Sequence, residues 1–216
     1  MVQSHALQML ALTLMEPPTD FTSQSIRNEK QKVLAALRLY EKPEDMLDSV
    51  VRAQYEGYLD EEGVPKDSKT ETFVALKTYV DNWRWSSMPI FIRSGKALSE
   101  KCTELVVYLK EIPHNIFKQT AGIDRISSNK ITFRIQPDTF IRLKVQTKVP
   151  GNRIELLSTD LNFPYQEQFK NVDFINGYDR ILFSAMSNDS SLFLSSGELF
   201  AQWKFTDSIL EQWHST

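Results

Sequence analysis

His5, Lys96 and Lys101 are the side chains of this sequence whose types and neighbours offer the clearest chemistry. His5 lies in "MVQSHALQML", at the start of a run with helical apolar spacing. An imidazole there can move a proton near neutral pH, although a lone histidine in a helix also serves as a structural residue. In "RWSSMPIFIRSGKALSEK" (84 to 101) an apolar run leads through Arg93 to Ser94-Gly95-Lys96, and Lys101 follows five residues later. A strand end with a glycine turn can hold a lysine towards an anion such as a phosphate; the same pattern also describes a strand exit with solvated lysines.

The remaining candidates are weaker. "RIQPDTFIRLKVQTK" (134 to 148) carries Arg134, Arg142, Lys144 and Lys148, and the even spacing of the last three sets them on one face of a sheet, either solvated or facing an anionic ligand. His114 in "EIPHNIF" and His214 near the C-terminus have no convergent partner in the sequence. Glu71 and Asp81, a strand's length apart, read as surface carboxylates, with the neighbouring aromatics, Trp83 among them, as core. Cys102 is the single cysteine, which rules out an intrachain disulfide and a cysteine-built metal site and suits a reducing compartment. No metal is expected.

Two groups of helices and a block of strands must position these residues. Helical spacing runs from Val2 to Met15 and stops at "EPP". A second helix is predicted over 25 to 40, with Ser25 as its cap and Ile26, Val33, Leu34 and Leu37 on its apolar face, ended by Pro43. After the loop "EEGVPKDSK", strands are predicted at 71 to 82, 89 to 95, 104 to 112, 129 to 137, 140 to 149 and 153 to 163. The connections "TAGID", "QPD" and "VPGN" are short, so neighbouring strands should pair antiparallel. Helices return at 177 to 188 and 197 to 213. The expected class is α+β, a large, mostly antiparallel sheet with helices packed on one face.

Composition narrows the function. Apolar residues make up 41% and a formal charge of -3 leaves no basic footprint, so a folded protein without a nucleic-acid partner is expected. The apolar stretch from Ala6 to Met15 is too short to cross a membrane and does not read as a signal peptide. A cytoplasmic location is expected. The seven glycines are scattered singly, so the chain holds neither a Gly-rich dinucleotide turn nor a P-loop.

Read in order, "VQSHALQMLALTLMEPP", "IRNEKQKVL", "RAQYEGY", "VPKDSKTETFVALKTYVDNWRWSSMPIFIRSGKAL", "RIQPDTFIRLKVQTKVPG" and "NGYDRIL" resemble the C-terminal part of glucose-6-phosphate dehydrogenase of the bacterial type. The resemblance spans residues 1 to 216 as one C-terminal domain. It implies an enzyme that oxidises glucose 6-phosphate at C1 to 6-phosphogluconolactone, with NADP or in some bacterial members NAD accepting hydride. His5 takes the position of the family's base, with Ser4 where Asn is usual, and Lys96 and Lys101 take the positions of substrate-binding lysines. The NADP site would belong mainly to an N-terminal cofactor domain that these residues do not include.

Arg93, Arg134, Gln136 and Lys144 resemble part of a second, structural NADP site of vertebrate-type members, but Cys102 and Arg142 do not match it, so no structural NADP is expected. The family also implies a homodimer through the sheet. Without the cofactor domain the chain is expected to be nearly inactive. The alternatives are a non-catalytic dimerisation or regulatory module that keeps the fold, or one half of a split enzyme.

Overall fold

The computed structural model of the protein describes residues 1–118, 123–170, 172 and 177–214. It divides into two compact units, Met1–Leu98 with Ile175–Thr216, and Ser99–Phe174. Among the described residues no helix is long and apolar enough to cross a membrane.

In the first unit the chain opens with a wide π-turn, Val2–Ala6, that runs into helix α1, Leu7–Leu14. Leu7, Leu10, Ala11 and Leu14 form one buried stripe at helical spacing. The backbone of Met15 is extended, as expected before the prolines that follow Glu16. Helix α2, Ser23–Ala35, starts earlier than predicted. Its cap is Thr22, whose hydroxyl accepts from the Ser25 N–H at 3.3 Å, so Ser25 is the third helical residue and not the cap. Thr22 has the extended backbone that a capping residue needs, and its own hydroxyl is held by Asp20 at 2.6 Å. Pro43 begins a further turn, α3 (Pro43–Met46), in which the Asp45 carboxylate accepts from the Glu41 and Lys42 N–H groups.

Strands β1 (Val50–Ala53), β2 (Phe73–Thr78) and β3 (Ile90–Gly95) form an antiparallel sheet in that order. β1 was not expected from the sequence: "VVRA" is four residues without alternation, and its pairing with β2 defines it. Leu76, Thr78 and Val80 are buried on alternate positions, and Leu76 and Val80 share a core with the stripe of α1, with Val33, Leu34 and Leu37 of the α2 region, and with Phe205 and Ile209. Trp85 joins the edge of that core and donates its indole N–H to the Leu14 carbonyl at 2.9 Å. Trp83 does not: it is fully exposed, which corrects its placement in the core.

In the second unit β4 (Thr103–Tyr108), β5 (Lys130–Gln136), β6 (Phe140–Lys148) and β7 (Leu156–Pro164) form a four-stranded antiparallel meander, followed by the single turn α4 (Tyr165–Gln168). Register sets Leu105, Phe133, Ile141 and Phe163 across one face and Thr132, Arg142 and Asn162 across the other. The α+β class and antiparallel pairing stand; the described strands are hydrogen-bonded as two sheets of three and four.

The last helices belong to the first unit. α5, Gly177–Met186, buries only Ser184 and leaves Phe183 and Met186 exposed. α6, Ser196–His214, begins with a reciprocal capping box: the Ser195 N–H donates to Glu198 Oε2 at 2.8 Å and the Glu198 N–H to Ser195 Oγ at 3.2 Å. Phe205 and Ile209 then enter the core about two and three turns beyond Glu198.

Candidate functional site

His5 stands in the π-turn, exposed to solvent. The turn is closed by two bonds to one carbonyl, from the His5 N–H to Met1 O at 3.0 Å and from the Ala6 N–H to Met1 O at 3.2 Å. Single π-turns of this kind recur at functional sites because the extra residue re-aims the side chains around it. Among the described residues no side chain hydrogen-bonds or ion-pairs with the imidazole, which leaves both ring nitrogens open to a ligand.

Lys96 follows the last residue of β3. Its N–H donates to Thr72 O at 2.8 Å, and its ammonium end is exposed. Gly95 makes that exit possible. A Cβ there would lie 2.8 Å from Cδ2 of Phe73, its partner across the strands, so a side chain would force the Phe73 ring or the β3 backbone to shift. Ala97, next in line, has φ of 53°, a turn that bends the chain directly after the lysine. The π-turn that carries His5 packs against β3, the strand that delivers Lys96, so an imidazole and an ammonium come from adjoining elements of one unit. Lys101 is exposed and belongs to the second unit, two residues before β4.

The other candidates find protein partners or none. His114 is exposed, and the side chain of His214 lies outside the described residues. Glu71 pairs with Arg52 at 3.2 Å, and Asp81 with Arg38 at 2.5 Å; the Arg38 guanidinium holds the Asp81 carboxyl below the usual carboxylate range. On the polar face of the meander Arg134 pairs with Glu100 at 2.7 Å and Glu104 at 3.4 Å, while Asp160 lies 3.7 Å from Arg142 and 3.5 Å from Lys144. Lys148 donates to the carbonyls of Val149 and Gly151. Arg134, Arg142 and Lys144 of the basic stripe thus face carboxylates of their own unit.

A dinucleotide site does not fit the described residues. Every strand pair among them is antiparallel, whereas the nucleotide crevice of a doubly wound fold needs parallel strands joined through a helix behind a Gly-rich turn. The cations resembling a structural NADP site, Arg134 and Lys144, already face Glu100, Glu104 and Asp160.

A buried ionic cluster behind the His5 turn escaped the sequence reading. Lys30 on α2 and Glu198 on α6, with side chains 5% and 0% exposed, are paired at 2.7 Å. Lys30 also donates to Gln8 Oε1 at 3.1 Å, and Gln3 donates to Oε1 of the fully buried Gln202 at 3.1 Å. Burial pushes the Glu198 carboxyl up, but the Lys30 ammonium and the N–H and hydroxyl of Ser195 outweigh it and hold the group below the ordinary glutamate range. The signal was in the periodicity: Lys30 falls on the stripe of Ile26, Val33 and Leu34, and Glu198 and Gln202 on that of Phe205 and Ile209.

Comparison with known proteins agrees with this arrangement over its whole length. The family described as "Glucose-6-phosphate dehydrogenase, C-terminal domain" matches residues 1–216. Glucose-6-phosphate 1-dehydrogenase of Dickeya dadantii is 37% identical over 225 residues, covering 99% of this chain and 45% of that protein. The enzyme of the same name from Zymomonas mobilis is 38% identical over 226 residues, covering 99% of this chain and 46% of its own length. Among solved structures, glucose-6-phosphate 1-dehydrogenase from Mycobacterium avium superposes with a TM-score of 0.83 at 34% identity, covering 98% of this chain and 43% of that one. A glucose-6-phosphate dehydrogenase in complex with its substrate glucose-6-phosphate gives a TM-score of 0.86 at 34% identity, covering 97% of this chain and 43% of that one. The chain spans less than half the length of these curated relatives. With the order of its elements and its full-length match, the chain belongs to the family of glucose-6-phosphate dehydrogenase C-terminal domains.

Proposed function

We propose that this chain is the substrate-binding and dimerisation part of a glucose-6-phosphate dehydrogenase, with His5 as general base and Lys96 and Lys101 as phosphate-facing cations. The observation that carries the reading is the packing of the His5 turn against the strand that ends at Gly95-Lys96, in a chain of this family. One solved relative is named as a complex with glucose-6-phosphate, which supports that sugar phosphate as the ligand.

Oxidation of the sugar at C1 removes a proton from the C1 hydroxyl and a hydride from C1. NADP supplies the hydride acceptor in this reading, and its binding is assigned to a region outside these residues. The work left to this chain is the proton and the phosphate. A neutral His5 imidazole accepts the hydroxyl proton as the carbonyl forms. Lys96, on a strand end fixed by Phe73 and Thr72, presents a cation to a phosphate without a flexible loop of its own. Lys101 adds a second cation. All 216 residues are read as one functional domain, acting in the cytoplasm.

Homodimerisation through the sheet is part of the proposal. It draws on the exposure of Leu157 and Leu161 on the apolar face of the meander, which a symmetric pairing can cover. Light scattering should give a mass twice the 25.0 kDa of the chain, and a monomer at high micromolar concentration would refute it.

The absence of a carboxylate partner for His5 among the described residues favours a second reading, a non-catalytic module. One assay separates them. Formation of reduced NADP is followed with glucose 6-phosphate, first with the chain alone and then with a cofactor-binding half from a relative added. The proposal expects turnover only in the second case, and its loss in His5→Ala. No turnover in either case, with no binding of glucose 6-phosphate by calorimetry, would leave the non-catalytic module.

A further inference from the structure

We propose that the buried polar cluster of Gln3, Gln8, Lys30, Glu198 and Gln202 is a positioning device that fixes the turn carrying His5; the proposal rests on the reading of His5 as the base.

The starting point is that apolar residues would serve stability at least as well. Lys30, Glu198 and Gln202 occupy stripe positions where leucine or methionine would extend the core, and replacing a buried ion pair by packed apolar groups is often neutral or stabilising. Two further amide groups, Gln8 Nε2 and Gln202 Nε2, are buried without a partner among the described residues. Such an arrangement is poor as a stabiliser but directional, since each bond has one geometry and slippage leaves a buried polar group unpaired.

The direction it sets is that of the π-turn. Gln3 and His5 are two positions apart and so lie on roughly opposite sides of the turn, and a bond that holds Gln3 inward holds His5 outward. Gln3 is tied to Gln202 at 3.1 Å. Five residues on, Gln8 is tied to Lys30, and Lys30 to Glu198. His5 therefore lies between two anchors, and both lead to α6: one to Gln202 directly, the other through Lys30 to Glu198, one helical turn earlier. Glu198 is itself fixed by the Ser195 capping box, which pins the start of α6. None of Val2–Ala6 is fully buried, and Val2 packs only at the edge of the core, so the directional bonds from Gln3 and Gln8 add to that contact the orientation it does not fix. For a general base that matters, because a displacement of about 1 Å from the productive geometry can cost about a hundredfold in rate.

Gln3→Met and Gln202→Met each delete the Gln3–Gln202 bond while keeping length and apolar surface, and Gln3→Met, half-buried near the chain start, leaves the core untouched. A third variant, Lys30→Met with Glu198→Met, removes the second anchor without leaving a lone charge. The readouts are amide hydrogen exchange and the His5 ring-proton resonances by NMR on the folded chain. The proposal expects the His5 and Ala6 amides, whose bonds close the turn, to exchange at least about tenfold faster in each folded variant, and the His5 ring-proton resonances to shift from their wild-type positions. Amides of Val33 and Leu34 should keep their wild-type rates. A merely structural cluster would instead lower protection throughout α2 and α6 and leave the His5 resonances in place. Unchanged exchange at His5 and Ala6 in folded Gln3→Met would overturn the proposal. The base reading fails separately, by turnover that survives His5→Ala, and the exchange data still decide whether the cluster fixes the turn.

Discussion

Leu76, central in the three-stranded sheet, is 2% exposed and shares its core with Val33, Leu34 and Phe205; Leu161, on the apolar face of the four-stranded meander, is 57% exposed. The difference is general: among the described residues every fully buried apolar side chain lies in the first unit, and the buried group in the meander is Thr132. The first sheet hides one face under helices that carry matching stripes. The second is held by its ladder, by cross-strand pairs such as Phe133 with Ile141, and by ion pairs on its polar face. A helix-covered sheet makes its own core. The meander leaves its apolar face open to water, which is the feature on which the proposal places dimerisation in the second unit, as it places the base in the first.

The largest break in that contrast is expected at Phe205. Phe205→Ala should destabilise the first unit by about 3–5 kcal/mol, since the ring is fully buried and its neighbours come from three elements. Leu161→Ala should stay within about 0.5 kcal/mol at low protein concentration, where the meander is uncovered, and should cost more as concentration rises and the proposed dimer forms. Urea titrations of both variants at several protein concentrations measure this. A loss at Leu161 approaching that at Phe205, and growing with concentration, would mean that a second copy covers the face.

Lys30→Met comes next. It strands the Glu198 carboxylate and should cost about 3–5 kcal/mol at neutral pH, whereas Lys30→Met with Glu198→Leu should be close to neutral. Acid gives an independent handle. Glu198 and Asp81 are both held below their ordinary values, so each binds fewer protons folded than unfolded, and their stabilisation is complete above the unfolded range near about 4. It is lost as pH falls through the folded values. Thermal melts from about pH 5 downward should show the wild type losing stability more steeply than the double variant. An equal slope would mean that the pair does not couple to folding.

Much of the first unit could be read from residue types. The stripes of α1 and α2, the stop at the two prolines and the strand ending at Gly95 follow from local rules, whereas the roles of His5 and Lys96 came from the family resemblance, since spacing alone also fits a structural histidine and a solvated lysine. β1 could not be read, because "VVRA" acquires its state from pairing with Phe73 to Leu76. Trp83 was misplaced because aromatic identity speaks for burial in general, while the turn between Val80 and Ile90 sends Trp85 inward and Trp83 out. The Lys30–Glu198 pair was hidden for another reason: each residue interrupts its own stripe, and only the meeting of α2 and α6 shows that the interruptions coincide. In the meander, alternation gave the faces correctly, yet the pairing of Arg142 and Lys144 with Asp160 on the next strand needed the register.

Gly95→Ala tests the strand that links fold to site. The added methyl would meet Phe73 at 2.8 Å, inside any ordinary contact, so a loss of about 1–3 kcal/mol is expected from overpacking. Displacement of Lys96 should weaken glucose 6-phosphate binding beyond what the stability loss explains. Calorimetry at a temperature where the variant stays folded checks it; unaltered affinity would remove Lys96 from the phosphate site.

The smallest effect is expected on the polar face of the meander, at Asp160. One carboxylate faces both Arg142 and Lys144 with about a third of its surface exposed, so Asp160→Asn should change stability by only about 0.2–1 kcal/mol. Its electrostatic consequence is larger than its energetic one. The substitution removes one negative charge and leaves Arg142 and Lys144 uncompensated beside Lys130, its cross-strand neighbour. If the carboxylates are what keep this face from holding anions, the variant should gain measurable affinity for NADP at low salt, and the gain should vanish at about 1 M salt, where screening acts within about 3 Å. Wild-type protein that binds NADP there as well as the variant would show that the carboxylates do not guard the stripe, and would move this face from the compensated class to the binding class despite its ion pairs.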